Sequence, residues 1–216
     1  MSVRIKELCS KIKPCKKLAD VGCDHGLLTL TALNSGKCEK AFISDVSAEC
    51  LKKAQELLSD FIECGRVGYA VCDGLEKVDD DCDAAIIAGM GGEEIIKILK
   101  ESRFKPQNLY LQPMKNANKV REYLINNGYG ITLDYTFCDG KFYDYIVAER
   151  GEKREYDKDD IAYGKDNLND MPKAFVDKLN AELKTYKSVL CNCKTETAKK
   201  ELVQKINDLE KVLNVT

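Results

Sequence analysis

Apolar positions along this chain follow two alternating rhythms. Short runs of mostly apolar residues predict strands, and after each run apolar residues recur every three or four positions, the helical spacing. Ile5, Leu8, Cys9 and Ile12 share one helical face, which predicts a short amphipathic helix ended by Pro14. Lys17 to Val21 reads as a strand, and Leu27 to Leu33 begins the next helix. Lys40 to Asp45 is the second strand, followed by a helix with Cys50, Leu51, Ala54, Leu57 and Leu58 on its apolar face. Arg66 to Val71 is the third, ending at Cys72-Asp73-Gly74. Asp83 to Ala88 is apolar after its first residue, as expected of a strand covered on both faces, and a helix Glu93 to Glu101 follows. Leu109 to Gln112, stopped by Pro113, and a helix Asn118 to Asn126 complete the fifth unit.

Beyond Asn126 the rhythm changes. Tyr129 to Phe137 and Phe142 to Glu149 are β-rich and are joined by Cys138-Asp139-Gly140-Lys141, whose Asp-Gly signals a hairpin. Five alternating units closed by an antiparallel hairpin predict an α/β, Rossmann-like sheet of seven strands. A ligand of such a sheet lies outside the carboxyl ends of its strands, and Asp20, Asp45, Asp73 and Gly89 all fall there. Past Gly151 the chain is strongly charged as far as Asp160, without a β pattern. Phe175, Leu179, Leu183, Tyr186 and Leu190, then Leu202, Ile206, Leu209 and Leu213 after a break near 192–195, predict a helical hairpin or short coiled coil. The expected division is a catalytic sheet domain over 1–151 and a coiled-coil helical domain over 152–216.

The turn after the first strand, Asp20-Val-Gly22-Cys-Asp24-His25-Gly26, carries the sharpest chemical signal. A glycine turn opening a helix is a nucleotide cradle. A dinucleotide site leaves that turn free of carboxylates, because a pyrophosphate rests on the helix N-terminus. Two like charges ~4 Å apart repel by about 4 kcal/mol at an effective dielectric near 20. Asp20 and Asp24 therefore disfavour a phosphate and favour a cationic nucleoside such as S-adenosylmethionine (SAM), so the expected fold is the class I SAM-dependent methyltransferase sheet. Asp45-Val46 ends the second strand, where an acid accepts hydrogen bonds from ribose hydroxyls; a helix cap is the alternative, a task open also to Ser47. Asp73-Gly74 is placed to meet adenine, or forms a plain turn. Gly89-Met90-Gly91-Gly92 lets backbone approach a ligand closely, where the SAM methyl group would meet its acceptor. Asp24 stands beside that methyl group or caps the helix, and His25 taken alone reads as a cap or turn-packing residue.

Bulk numbers narrow this picture only in places. The 216 residues, 44% hydrophobic and 32% charged, suit one α/β domain with a small appendage. Apolar runs such as Ala84 to Ala88 are too short to cross a bilayer, and Met1-Ser-Val-Arg-Ile-Lys lacks a signal-peptide core, so a cytoplasmic location is expected. The eleven scattered cysteines read as buried free thiols. With no Cys-x-x-Cys and a single histidine, no metal site is expected. The net charge of −2 argues nothing about nucleic acid, but Arg4, Lys6, Lys11, Lys13, Lys16 and Lys17 cluster against the lone acid Glu7. That cluster is either a phosphate-contacting surface beside the cleft or a solvated helix face.

Taken in order, Asp20-Val-Gly22-Cys-Asp24-His25, Ala88-Gly-Met-Gly-Gly92 and Leu111-Gln-Pro113 make the chain resemble the bacterial TrmK family. Its members are SAM-dependent tRNA methyltransferases that modify N1 of adenine 22. The resemblance spans essentially the whole chain, including the basic first helix and the C-terminal coiled coil. It implies that Asp20, Gly22, Asp45, Val46, Asp73, Gly74 and Gly89 bind SAM. It places Asp24, His25, Met90, Gln112 and Pro113 on the catalytic face, which Gly89 also borders. Arg4, Lys6, Lys11, Lys13, Lys115, Lys119 and Arg121 would hold the tRNA backbone. The chain departs from the family pattern in Gly26-Leu-Leu-Thr29, where a Tyr and a Pro often follow Asp-His, and in Met114, where an Asn often follows Gln-Pro. A monomer or weak dimer is expected, with tRNA as partner and neither membrane nor metal. Two alternatives stay open: a SAM-dependent methyltransferase of a small molecule or protein, and a non-catalytic SAM-binding adaptor working through its coiled coil.

Overall fold

The structure, a computed structural model, describes residues 2–79, 81–152, 154–193 and 195–213. Met1, Asp80, Lys153, Lys194 and residues 214–216 lie outside the described residues, and with them small parts of both expected domain ranges and of the expected break near 192–195. The first part of the chain forms α1 (Val3–Ser10), β1 (Cys15–Val21), α2 (Leu27–Asn34), β2 (Cys38–Asp45), α3 (Ala48–Leu57), α4 (Ser59–Glu63) and β3 (Val67–Val71). Then come β4 (Ala84–Met90), α5 (Gly92–Glu101), β5 (Asn108–Pro113) and α6 (Ala117–Asn126). A hairpin, β6 (Tyr129–Asp139) and β7 (Lys141–Arg150), turns at Gly140, whose φ is 70°. The helices α7 (Lys158–Tyr163), α8 (Lys165–Asp170), α9 (Lys173–Cys191) and α10 (Glu196–Leu213) follow.

The seven strands lie in the order β3-β2-β1-β4-β5-β7-β6, with β1 to β5 parallel and β7 antiparallel to both its neighbours. Alternate residues of the central strands feed two cores, because successive side chains leave a strand on opposite faces. Leu18, Ile86 and Tyr110 face one core with Leu8 of α1, Ile12 just beyond it, Leu28 of α2 and Leu51 of α3. Ala19, Ile87, Leu109 and Leu111 face the other, with Ile95 and Ile98 of α5 and Val120 and Leu124 of α6. Each fully buried Leu or Ile contributes about 1.5–3 kcal/mol of transfer free energy, which is why the apolar runs of β1, β4 and β5 settle in the middle of the sheet. Strand order reverses between β1 and β4, the position at which an open α/β sheet holds its ligand.

The charged stretch after Gly151 was expected to hold no strand, and the structure puts two short helices there. Their work is to finish an edge. The backbone N–H groups of Asp134 and Thr136, on the outermost strand β6, donate to Asp166 Oδ2 and Asn167 Oδ1 of α8, both at 2.8 Å. Polar side chains thus close a strand edge that would otherwise be open to pairing. Arg121 belongs to the same region and corrects the sequence reading. It was expected on the tRNA surface, yet it is 2% exposed, with Nε 2.7 Å from Asp134 Oδ2 and Nη2 3.0 Å from Asp134 Oδ1. Its Nη1 donates to the carbonyls of Ile161 and Ala162 at 3.4 and 3.3 Å, tying α6 and β6 to α7. The apolar face of α6 turns this arginine inward, and its carboxylate partner is visible only in three dimensions.

Phe175 and Leu179 of α9 bury against Leu209 and Val212 of α10, a third small core that takes in Leu183, Tyr186 and Leu213 of the expected stripe but not Leu190, Leu202 or Ile206. The pair is fastened to the sheet by Lys178, whose Nζ lies 2.8 and 2.6 Å from the two carboxylate oxygens of Asp144 on β7. Among the described residues no helix is long and apolar enough to cross a membrane.

Candidate active site

At the switch point between β1 and β4 the strand ends open into a cleft of about 530 Å³. Asp20, Gly22, Asp24, His25, Asp45, Val46, Asp73, Gly74, Gly89 and Met90 all line it. Local backbone explains how. Gly22 takes φ 69°, and its N–H and that of Cys23 donate to Ser44 O at 2.8 and 3.0 Å, so the turn folds back onto β2. A Cβ at Gly22 would come 2.1 Å from Met90 Cε; the bare glycine is what lets the Met90 side chain cross the cleft. Gly74, at φ 55°, is equally constrained, since a Cβ there would press on Ile98 at 2.8 Å.

Asp45 is fixed at both oxygens. Its Oδ2 accepts the N–H of Asp24 at 3.0 Å and its Oδ1 that of Ser47 at 2.8 Å. Ser47, not Asp45, caps α3, through its side chain and the N–H of Cys50. Each Asp45 oxygen keeps a further lone pair toward the cleft. Asp24 does not cap α2: that position falls to Gly26, at φ 74°. Asp24 instead holds a left-handed backbone, φ 50°, uncommon outside glycine, with its exposed carboxylate 3.5 Å from His25 Nε2. Strain of this kind gathers at functional sites. Asp73 is exposed at the far end of the cleft and pairs with Lys97 at 2.8 Å.

Asp20 is the buried member, 6% exposed, and accepts the Thr29 hydroxyl at 2.6 Å. Burial, helped by the charge of Asp45 and opposed by Thr29, lifts its pKa to about 6. Cys23 also lines the cleft, but burial and the charges of Asp20 and Asp45 push its thiol well up, so it is not a nucleophile. Among the described residues no group of three His, Cys, Asp or Glu is placed to hold a metal ion.

Gln112 and Pro113, expected on the catalytic face, do not line the cleft. Gln112 is fully buried at the end of β5 and reaches the site only through Arg4, whose Nε donates to Gln112 Oε1 at 2.8 Å. Arg4 itself was read as part of an RNA-facing surface. It lines the cleft, together with Ser2, Ile5 and Leu8, and one Nη would lie 3.0 Å from a Cβ on Gly89. The sequence also missed Glu94 and Ile98 of α5 as lining residues. Their helical spacing marks one face of α5, but nothing in it shows that this face ends at a cleft. Lys6, Lys11, Lys13, Lys115 and Lys119 are exposed outside the cleft, Lys13 paired with Glu149 and Lys119 with Glu93.

The lining is acidic, with Asp20, Asp24, Asp45, Asp73 and Glu94 against one permanent cation, Arg4. A cationic nucleoside fits that balance and a pyrophosphate does not. A family model described as TrmK, tRNA (adenine(22)-N(1))-methyltransferase, matches residues 18–214. The tRNA (adenine(22)-N(1))-methyltransferase of Bacillus subtilis is 30% identical over 159 residues, 71% of this chain and 66% of that protein. The matched stretch thus spans about two thirds of that curated relative. The crystal structure of B. subtilis TrmK is similar over 99% of this chain and 98% of that one, with a TM-score of 0.86 at 26% identity. The M. capricolum TrmK structure, a complex with S-adenosyl-homocysteine, shares the fold with a TM-score of 0.89 at 21% identity, over 100% and 98% of the two chains.

Proposed function

Since the chain belongs to the TrmK family of tRNA (adenine(22)-N(1))-methyltransferases, we propose that its acidic cleft is where the methyl group of SAM passes to N1 of adenine 22 in tRNA. The observation that carries this reading is one cleft, at the β1/β4 switch point, lined by Asp20, Gly22, Asp24, Asp45, Asp73 and the Gly89-Met90 turn. When bound, SAM supplies an electrophilic methyl group on its sulfonium. Asp45 offers its remaining lone pairs to the ribose, and Asp73 and Gly74 border the adenine of the cofactor. Gly22 and Met90, which meet across the cleft, would border its reacting end.

Adenine N1 presents an in-plane lone pair at neutral pH, so the residues here need not remove a proton before attack. They orient and they stabilise charge. Asp24 accepts a hydrogen bond from the exocyclic amine of the target base and faces the positive charge that grows on the ring as the new N–C bond forms. The strained backbone that holds Asp24 out from α2 supports this role over a structural one. His25, beside it, borders the incoming base. An adenine in a duplex hides N1 in its pairing edge, so the target is unpaired or flipped out. Lys6, Lys11 and Lys115, exposed and, among the described residues, without a carboxylate partner closer than the 3.8 Å of Lys11–Glu7, are offered to the tRNA backbone with Lys13 and Lys119. Of the described residues beyond Gly151, none lines the cleft, and we assign that part of the chain to tRNA rather than to the transfer.

The test is methylation of transcribed tRNA with SAM, followed by mapping of the modified nucleotide. Modification at adenine 22, lost when that base is replaced, is expected. Asp24→Asn keeps the left-handed backbone, which Asn tolerates, but removes the charge. It should lower kcat about 100-fold with SAM and tRNA binding intact. Full turnover in Asp24→Asn and Asp24→Ala would remove Asp24 from the reaction.

A further inference from the structure

The cleft is acidic inside, but its edge is apolar. Leu27 and Val46 line it while more than half exposed, and Val3, between the lining residues Ser2 and Arg4, is equally exposed. Met114 is half-exposed, although β5 is buried from Leu109 to Pro113 just before it. This methionine lies outside the cleft lining and is fastened to it. Its N–H donates to the carbonyl of Met90 at 2.8 Å, and Gln112 Nε2 donates to its Sδ at 3.3 Å. The amide of Gln112 is itself fixed, because its Oε1 accepts Arg4 Nε at 2.8 Å and arginine can only donate, so the NH2 group must face the sulfur. Behind Met114 the chain is zipped to the glycine turn that follows Met90. Gly92 N–H donates to Lys115 O at 2.9 Å, and a Cβ on Gly92 would come 2.6 Å from Asn116 O. Ordering a long side chain costs rotamer entropy, so an exposed thioether gripped by a buried amide is a contact prepared in advance.

Three zones follow one another outward on this side: carboxylates in the cleft, Met114 at the lip, and the exposed Lys115 beyond, whose Cε would lie 3.2 Å from a Cβ on Gly91. A phosphate is repelled by the first zone and finds no donor side chain in the second. A nucleobase has uncharged faces that stack on an apolar side chain, while its own backbone charge can stay with the lysine. Resting on the reading of adenine 22 as the target, we propose that Met114 is an RNA wedge. As the adenine leaves its stack to enter the cleft, the thioether comes against the face of the neighbouring base that the adenine uncovers. Extruding a base sacrifices its stacking. Apolar side chains, methionine among them, fill such gaps between bases, and sulfur makes favourable contact with aromatic rings. The wedge therefore offsets part of the unstacking at the moment the base is taken up, and it does so without touching the cofactor.

The test is a cycle between protein and RNA. Single-turnover methylation by the full chain is measured on intact tRNA and on two tRNAs of the same sequence, each lacking the base on one side of adenine 22. Met114→Ala should lower the rate on intact tRNA about 3–10-fold, the range of a sulfur–ring contact. On one of the two abasic tRNAs the same substitution should alter the rate by less than about twofold, because the partner of the thioether is gone. Met114→Leu, similar in volume, should hold the rate on intact tRNA within about twofold of wild type. The Kd for SAM should be unchanged in both variants. An equal loss on all three tRNAs overturns the proposal, as does full activity of Met114→Ala on intact tRNA or a weakened Kd for SAM. A general loss of fold would act on all three tRNAs alike, so it cannot imitate the expected pattern. Failure of the wild-type chain to methylate adenine 22 in intact tRNA would instead defeat the reading on which the wedge rests.

Discussion

Replacement of Arg121 by alanine decides whether this residue holds tRNA or holds the fold. Its guanidinium makes two bonds to Asp134, at 2.7 and 3.0 Å, and longer ones to the carbonyls of Ile161 and Ala162. Arginine 2% exposed and aspartate 0% exposed leave no water to take over when one partner goes. Removing one member of such a pair costs about 3–5 kcal/mol, since the other charge stays buried and alone. For a chain of 216 residues this corresponds to a fall in Tm of roughly 6–20 °C, at about 2–4 °C per kcal/mol. The loss should depend on pH. Burial, with the charges of Asp144 and Asp166, already holds the folded-state pKa of Asp134 above its unfolded value against the pull of Arg121, and with the arginine gone it rises further. The folded protein then prefers the protonated acid, so the defect is smallest near pH 4 and grows as pH rises. Replacing both partners with apolar residues, Arg121→Met with Asp134→Leu, should restore much of the stability, because no charge is left unpaired. Urea titrations of the wild type, Arg121→Met, Asp134→Leu and the double variant, followed by circular dichroism, measure the cycle. A melting temperature within about 2 °C of wild type, together with weaker tRNA binding and a shallower salt dependence, would refute the structural role and restore the surface one.

Other expectations follow from the same geometry. Asp20 has a folded pKa of about 6 against an unfolded value of 3.8, so the folded state gains relative stability below pH 3.8 and loses it as pH climbs through 6. The loss is worth up to about 3 kcal/mol. Ligand-free Asp20→Asn should therefore melt higher than wild type at pH 7.5 but not at pH 4, while binding SAM more weakly; parallel pH curves for the two proteins would exclude this. Lys178→Met should cost about 2 kcal/mol, because Asp144 keeps only the Thr136 hydroxyl as partner. It should also raise KM for tRNA with an unchanged Kd for SAM, if the α9–α10 hairpin serves the RNA; equal KM values would detach the hairpin from that task.

The alternation of strands and helices was legible because burial on two faces forces continuous apolar runs, as in Ala84 to Ile87, and burial on one face forces helical spacing, as in Leu51 and Ala54. The strand-end acids were legible too, since their place depends only on where each run stops. Residues whose surroundings come from distant parts of the chain were not. Arg4 and Arg121 look alike in sequence, one arginine on each amphipathic helix, yet one lines the cleft and the other is sealed against β6. The helix α8 escaped because its polar side chains, Asp166 and Asn167, serve an edge strand rather than a core. Gln112 was noticed beside Pro113 but misplaced, since a buried amide is indistinguishable in sequence from one that faces a ligand.

The attachment of α1 also sets an order of assembly. Its partners lie far along the chain: Arg4 N–H bonds Asp139, Leu8 O accepts from the Tyr145 hydroxyl at 2.8 Å, and the N–H of Lys13, just beyond the helix, donates to the Tyr110 hydroxyl at 2.8 Å. These contacts close loops of 135, 137 and 97 residues, and such long closures form late. On the ribosome, α1 is made before every other element described here, yet it can be seated only after β7 has been synthesised. Until then Leu8, Cys9 and Ile12 lack the part of their core that Phe137, Tyr145 and Val147 supply. A nascent chain stalled before Tyr145 would hold its parallel strands and still lack one wall of the cleft. The ability to retain cofactor should therefore arise late in synthesis and in one step.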